Sequence, residues 1–184
     1  VKEDSEETSR LEPKEDGPVL AQVFNVVSDP HVGKQCYMRI FSGKLESKTQ
    51  ANLSSTGKAE KIPQLFRPQG EKREDIADAI AGDIVGVAKV DNLFIGDTVY
   101  STGDWRFEKM PFPIPMTGLA IAPKNRGDEQ KMGTNLHRLC DEDPTFTFER
   151  SEQTGEQVIS GMGQVHLDVM MSKLKTRYAM ELDT

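Results

Sequence analysis

From Pro18 to Ser101 the chain holds no long helical pattern, only short runs rich in Val, Ile, Phe and Tyr. The runs fall at 19–27, 35–41, 49–53, 58–66, 84–90 and 97–101. Turn signals part them: Asp29-Pro30, Ser42-Gly43, Ser55-Thr56-Gly57, Pro68-Gln69-Gly70, Ala81-Gly82-Asp83 and Ile95-Gly96-Asp97. Short strands at intervals of about 8–12 residues predict a small closed or nearly closed all-β barrel, a form that also disposes of exposed strand edges.

The texture changes after a boundary placed around Gly103-Asp104-Trp105. Met110-Pro111-Phe112-Pro113-Ile114-Pro115-Met116 alternates proline with apolar residues and is therefore extended. Residues 117–122 read as a strand with Leu119 and Ile121 on one face. Asp128 is placed as the N-cap of a helix with Met132, Leu136, Leu139 and Cys140 at helical spacing, ended by Asp143-Pro144. Phe146 and Phe148 lie on the next strand, Thr154-Gly155 turns it, and residues 156–160 return. A helix to about Lys175 and a last strand at 178–183 complete β-α-β-β-α-β. That order folds as an α+β, ferredoxin-like domain: a four-stranded antiparallel sheet with two helices on one face. The expected organisation is an acidic linker at 1–17, a barrel at 18–104 and a ferredoxin-like domain at 105–184.

Charge narrows the function. The formal net charge is −7, and residues 1–17 hold seven acids against three cations, so the folded parts are nearly neutral. Bulk charge argues against a general nucleic-acid binder, although a cluster of cations can still dock on RNA. Lys34, Arg39, Lys44 and Lys48 form the one basic stretch on the barrel; ordinary strand-edge lysines are the competing explanation. No apolar run approaches the roughly 20 residues of a membrane helix, and the acidic N-terminus has no signal-peptide core. Cys36 and Cys140 stand far apart without a CxxC, as suits reduced thiols.

Chemistry-bearing motifs are sparse. No GxxxxGK[ST] loop occurs. Gly161-Met162-Gly163 passes a strand into a helix, which leaves unpaired N–H groups for an anion or else makes a tight corner. His166 stands where a third glycine would be needed, and the setting is antiparallel, so the corner reads as structural, with Gly163 expected to need strained angles. His137 and Cys140 share a helical face but lack a second ligand pair, and a lone thiol on an apolar stripe packs rather than reacts. His31 and His166 have no triad partners. The acidic clusters at 71–75 and 141–143 read as solvated faces and helix-end charges.

Taken together, these residues carry a resemblance. Asp29-Pro30-His31-Val32-Gly33-Lys34, Arg39-Ile40-Phe41-Ser42-Gly43-Lys44-Leu45, Ala81-Gly82-Asp83-Ile84 and Gly96-Asp97-Thr98 resemble the β-barrel of translational GTPases. Phe112-Pro113-Ile114-Pro115, Pro123-Lys124, Asp128-Glu129-Gln130-Lys131-Met132, Glu142-Asp143-Pro144-Thr145-Phe146 and Ser160-Gly161-Met162-Gly163-Gln164-Val165-His166-Leu167 resemble domain III of elongation factor G. Two departures stand out: Gln164-Val165 replaces the family's usual Glu-Leu, and Arg67-Pro68-Gln69-Gly70-Glu71-Lys72 differs from the common barrel. The second departure resembles divergent, elongation-factor-G-like paralogues.

The resemblance implies a non-catalytic central fragment of a cytoplasmic ribosomal translocase. GTP and magnesium would belong to a GTPase domain preceding residue 1, with no cofactor on this chain and further domains after Thr184. Its implied partners are small-subunit ribosomal RNA, a small-subunit ribosomal protein, and the protein's own GTPase and C-terminal domains, with no membrane. Lys34, Arg39 and Lys44 are the implied RNA phosphate contacts. Met132, Gly161, Gly163 and His166 are the implied coupling residues on the GTPase-facing side. The alternatives are a ribosome-protection or release-type factor, an inactive paralogue and, from another class, a stand-alone thiol enzyme using His137 and Cys140.

Overall fold

The computed structural model describes residues 12–29, 32–70, 72–103, 105–108, 110–124 and 126–184; His31 and most of the acidic N-terminal stretch lie outside them. The chain divides into two compact units, Val1–Met110 and Pro111–Thr184. The division falls a few residues beyond the expected boundary because the connecting segment packs on the first unit. Phe107 donates its backbone N–H to Thr98 Oγ1 at 2.9 Å, and its ring lies 4.8 Å from that of Phe41.

The first unit is all β among its described residues. Its strands are β1 (Leu20–Asp29), β2 (Gly33–Ser42), β3 (Lys44–Glu46), β4 (Gln50–Leu53), β5 (Ala59–Lys61), β6 (Leu65–Gln69), β7 (Lys72–Ile76), β8 (Asp78–Ile80), β9 (Ile84–Ala88) and β10 (Thr98–Tyr100). Eight join in the order β5-β4-β10-β1-β2-β9-β6-β7, and β3 pairs with β8. Leu53 of β4, Val23 of β1, Val85 of β9 and Leu65 of β6 all meet in one buried cluster, so the sheet curls around a single core in barrel fashion. Two bulges help it curl. Register places Phe24 as the extra residue of β1 and Phe41 as that of β2, and a bulge sharpens the local twist.

Three expectations change here. The run at 58–66 breaks into β5 and β6 at Pro63, which has no N–H for a ladder. The charged stretch after Gly70 is a strand, β7, at the end of the sheet, where Lys72, Arg73, Glu74 and Asp75 blunt the edge. The N-terminal linker is partly bound: Lys14 C=O accepts the N–H groups of Gly17 at 3.3 Å and of Gly43 at 2.8 Å.

The second unit contains β11 (Thr117–Pro123), a 3-10 turn (Arg126–Asp128), α1 (Glu129–Glu142), β12 (Thr147–Arg150), β13 (Gln157–Gly161), α2 (Gln164–Tyr178) and β14 (Leu182–Asp183). The sheet order β12-β13-β11-β14, antiparallel throughout, is the ferredoxin-like arrangement the sequence predicts. The last strand is shorter than expected because α2 runs on to Tyr178 and closes through Ala179, a left-handed residue at φ 50°. Asp128 occupies the N-cap of α1 without a side-chain capping bond; its carboxylate is 3.4 Å from Lys131 Nζ instead. Leu136 and Leu139 of α1 and Leu167, Met170 and Leu174 of α2 fill the core against Ile121 and Ile159. No helix among the described residues is long and apolar enough to cross a membrane.

Candidate functional site

The three barrel cations have unlike surroundings. Lys34, at the start of β2, donates to Asp91 C=O at 2.9 Å and caps the Phe94 ring at 3.9 Å. Lys44 is paired with Asp78 at 2.8 Å, and that hydrogen bond holds its ammonium above the ordinary lysine range. Arg39 is exposed on the outer face of β2 between Gln22 and Ile84, with no carboxylate partner among the described residues. Its guanidinium sits 5.5 Å above Phe41, whose ring also meets Phe107. Lys34 and Arg39 are five strand residues apart, roughly 16 Å, so they reach for different ground. Arg39 is the one of the three whose charge is not already answered by an anion or a carbonyl.

The glycine corner is built by close approach. Gly161 ends β13 and accepts the Met116 N–H at 2.9 Å. A Cβ on Gly161 would stand 3.0 Å from both His166 Nδ1 and Leu167 Cδ2. Gly163, expected to be strained, is not. Its φ of 168° and ψ of 176° are extended backbone open to any residue, and no atom lies within 4 Å of the place a Cβ would take. The sequence flags both glycines; only the packing of α2 singles out Gly161. Gly161→Val is therefore expected to destabilise the second unit by roughly 1–3 kcal/mol through overpacking. Gly163→Ser, which adds a good N-cap, should be neutral or slightly stabilising. Paired urea melts of the two variants read this directly, and equal losses would refute it.

His166 ties the corner to the end of α1. Its Nδ1 accepts the Met162 N–H at 3.1 Å, and its Nε2 lies 3.1 Å from Asp143 Oδ2. The ring edge meets Phe146 at 6.1 Å. Burial pushes the Asp143 carboxyl upward, but hydrogen bonds from the Thr145 hydroxyl and N–H, with His166 beside it, outweigh that and leave it below the usual range. With the Met162 N–H already engaged, the corner is no open anion cradle.

Met132 does not belong with these residues. It is 0% exposed inside the second unit's core, so it cannot meet a partner; its place on the apolar stripe of α1 is the better guide. His137 packs edge-on to Phe148 at 5.5 Å. The half-buried Cys140 thiol is pushed up to about 11, first by burial and then by Asp141, so it stays protonated near neutral pH and is a poor nucleophile. No group of three or more metal-ligating side chains occurs among the described residues.

One surface that the sequence reading does not mark lies beside the corner. α2 buries Leu167, Met170 and Leu174 yet carries a second apolar pair, Val165 and Val169, four residues apart on another face. Val165 is 76% exposed and Met116 78%, and Met162, in the turn between β13 and α2, is 40% exposed. Met116 is held there by its bond to Gly161 C=O. The signal in the sequence is a helix with two apolar stripes where its own core needs one.

Two family models match in chain order. Residues 18–102 match "Elongation factor G domain 2" and residues 112–184 match "Elongation Factor G, domain III". A solved structure from Thermus thermophilus, titled "Crystal structure of ttk003000868", is similar at 33% identity and a TM-score of 0.80. That similarity covers 91% of this chain and 26% of the other, so the chain spans about a quarter of that protein's length.

Proposed function

Since the chain belongs to the elongation factor G family, and its domains indicate part of a translational GTPase-type factor, we propose that it docks such a factor on the ribosome and couples GTP hydrolysis to tRNA and mRNA translocation. The observation that carries this reading is the pair of domain matches in family order, 18–102 then 112–184. GTP and magnesium are bound on a GTPase domain elsewhere in the protein, in the cytoplasm, while this chain supplies contacts and rigidity. The exposed surface of Met116, Met162, Val165 and Val169 receives the GTPase domain, so that nucleotide state is felt at the glycine corner. Arg39 meets a small-subunit RNA phosphate, because its charge alone of the three candidates is uncommitted.

A second reading, a divergent paralogue with another ribosomal task, is favoured by the Arg67-Pro68-Gln69-Gly70-Glu71-Lys72 stretch of the barrel. Both readings predict ribosome binding, which sedimentation of the 184-residue chain with small ribosomal subunits over a salt series measures. Arg39→Glu should weaken binding and flatten the slope of log affinity against log salt by about 0.7–0.9, the loss of one phosphate contact. Lys44→Glu should do less, its partner being Asp78. An unaltered slope in Arg39→Glu removes that residue from the RNA interface; absence of any binding removes the reading.

A further inference from the structure

We infer that His166 is a proton-sensitive latch: as a neutral imidazole it holds the glycine corner shut, and protonation releases it. The ring bridges two groups with opposite demands. The Asp143 carboxylate, 3.1 Å from Nε2, only accepts, so Nε2 must carry a hydrogen. The Met162 backbone nitrogen, 3.1 Å from Nδ1, only donates, so Nδ1 must offer its lone pair. The neutral Nε2–H tautomer alone satisfies both. Turning the ring over would present carbon atoms to both partners, so its orientation is fixed as well.

A proton added at Nδ1 sets two N–H groups face to face across 3.1 Å. The Asp143 contact becomes an ion pair and keeps the ring, so the Met162 bond is the one that breaks. The groups meeting the ring are Asp143, itself bonded to Thr145, from the end of α1, and the Phe146 edge ahead of β12. On α2 itself the nearby carboxylate, Asp168, accepts from Gln164 Nε2 at 2.9 Å. Gly161 lets the ring lie this close, since a Cβ there would stand 3.0 Å from Nδ1. Opening the corner frees the backbone of Met162, whose side chain belongs to the exposed apolar surface. The consequence for docking rests on the function proposed above; the latch does not.

The test uses the isotopically labelled 184-residue chain, titrated from about pH 8 to about pH 5, the span in which histidine changes charge. Long-range proton–nitrogen spectra report both ring nitrogens; the protection factor and temperature coefficient of the Met162 amide report its bond. The expected result is an Nε2–H ring at high pH and a fall of about 5- to 10-fold in Met162 protection, the worth of one ordinary hydrogen bond, with the ring's own midpoint. His166→Asn offers an amide oxygen near the place of Nδ1 and does not titrate, so Met162 should then be insensitive to pH. Met162 protection that stays level while the ring titrates overturns the latch, as does the same loss in His166→Asn. Should that variant not fold, the wild-type titration decides alone, because ring and amide are read in one sample. Loss of ribosome binding bears on the proposed function and leaves this result untouched.

Discussion

Gly43→Ala is expected to destabilise the barrel unit by roughly 3 kcal/mol or more, the sum of left-handed strain and overpacking. Gly43 follows β2 at φ 76°, where an L side chain is strained. Its Cβ would also lie 2.7 Å from Gly17 O, Pro18 C and Val19 Cα. All three are backbone atoms of the chain entering β1, so no rotamer change relieves them. The same approach lets Gly43 N–H reach Lys14 C=O at 2.8 Å and pin the incoming segment. Gly70 is the control: its φ is 60°, but nothing lies within 4 Å of a Cβ, so Gly70→Ala carries the strain without the collision. Trp105 fluorescence in a urea series reads the unit. If Gly43→Ala melts no earlier than Gly70→Ala, crowding at Gly43 has been misjudged.

Arg177→Ala should cost the second unit roughly 2–3 kcal/mol by leaving the Glu142 carboxylate buried without its main partner. Glu142 is the last residue of α1, where a negative charge opposes the helix dipole and α1 has no basic residue of its own in that turn. α2 supplies the cation instead. Arg177 Nη1 lies 2.7 Å and 2.9 Å from the two Glu142 oxygens, and Lys173 Nζ stands 3.9 Å away. The Glu142 side chain is only 6% exposed, so water does little to replace the lost partner. One guanidinium nitrogen spans both oxygens, without the two-pronged fork that lysine cannot copy. Arg177→Lys should therefore restore at least half the loss. Both helices among the described residues lie in this unit, so the helical band in far-ultraviolet circular dichroism follows its melting. A lysine variant as unstable as the alanine one would show that the guanidinium plane matters after all.

The legibility of this molecule in its sequence depends on how far apart the determining residues lie. Long strands such as β1 and β2 have a period-two apolar face and are visible, as is the βαββαβ order of the second unit. β7 is not, because an edge strand exposed on both faces has no apolar alternation to display. β3 and β8 have three residues each, too short for any period. The Glu142–Arg177 tie joins residues 35 apart, and nothing local at either end announces it. Gly161 and Gly163 look alike as letters; their difference lies in where His166 and Leu167 come to rest. Of the candidate contacts, Arg39 is legible as a cation, but the engagement of Lys34 and Lys44 by Asp91 and Asp78 is not.

The hairpin of β6 and β7 hangs from one end of the barrel sheet; among the described residues it pairs with the other strands through β9, and Ser47 Oγ accepts the Leu65 N–H and donates to Ile76 C=O at its base. Its tip at Gly70 faces open space. Such a terminal ribbon can change length or lettering without disturbing the curl of the remaining strands. It gives the fold a place for variation that the crowded turn at Gly43 denies, and a peptide tag inserted after Gly70 should leave the melting of the unit within about 1 kcal/mol of the parent chain.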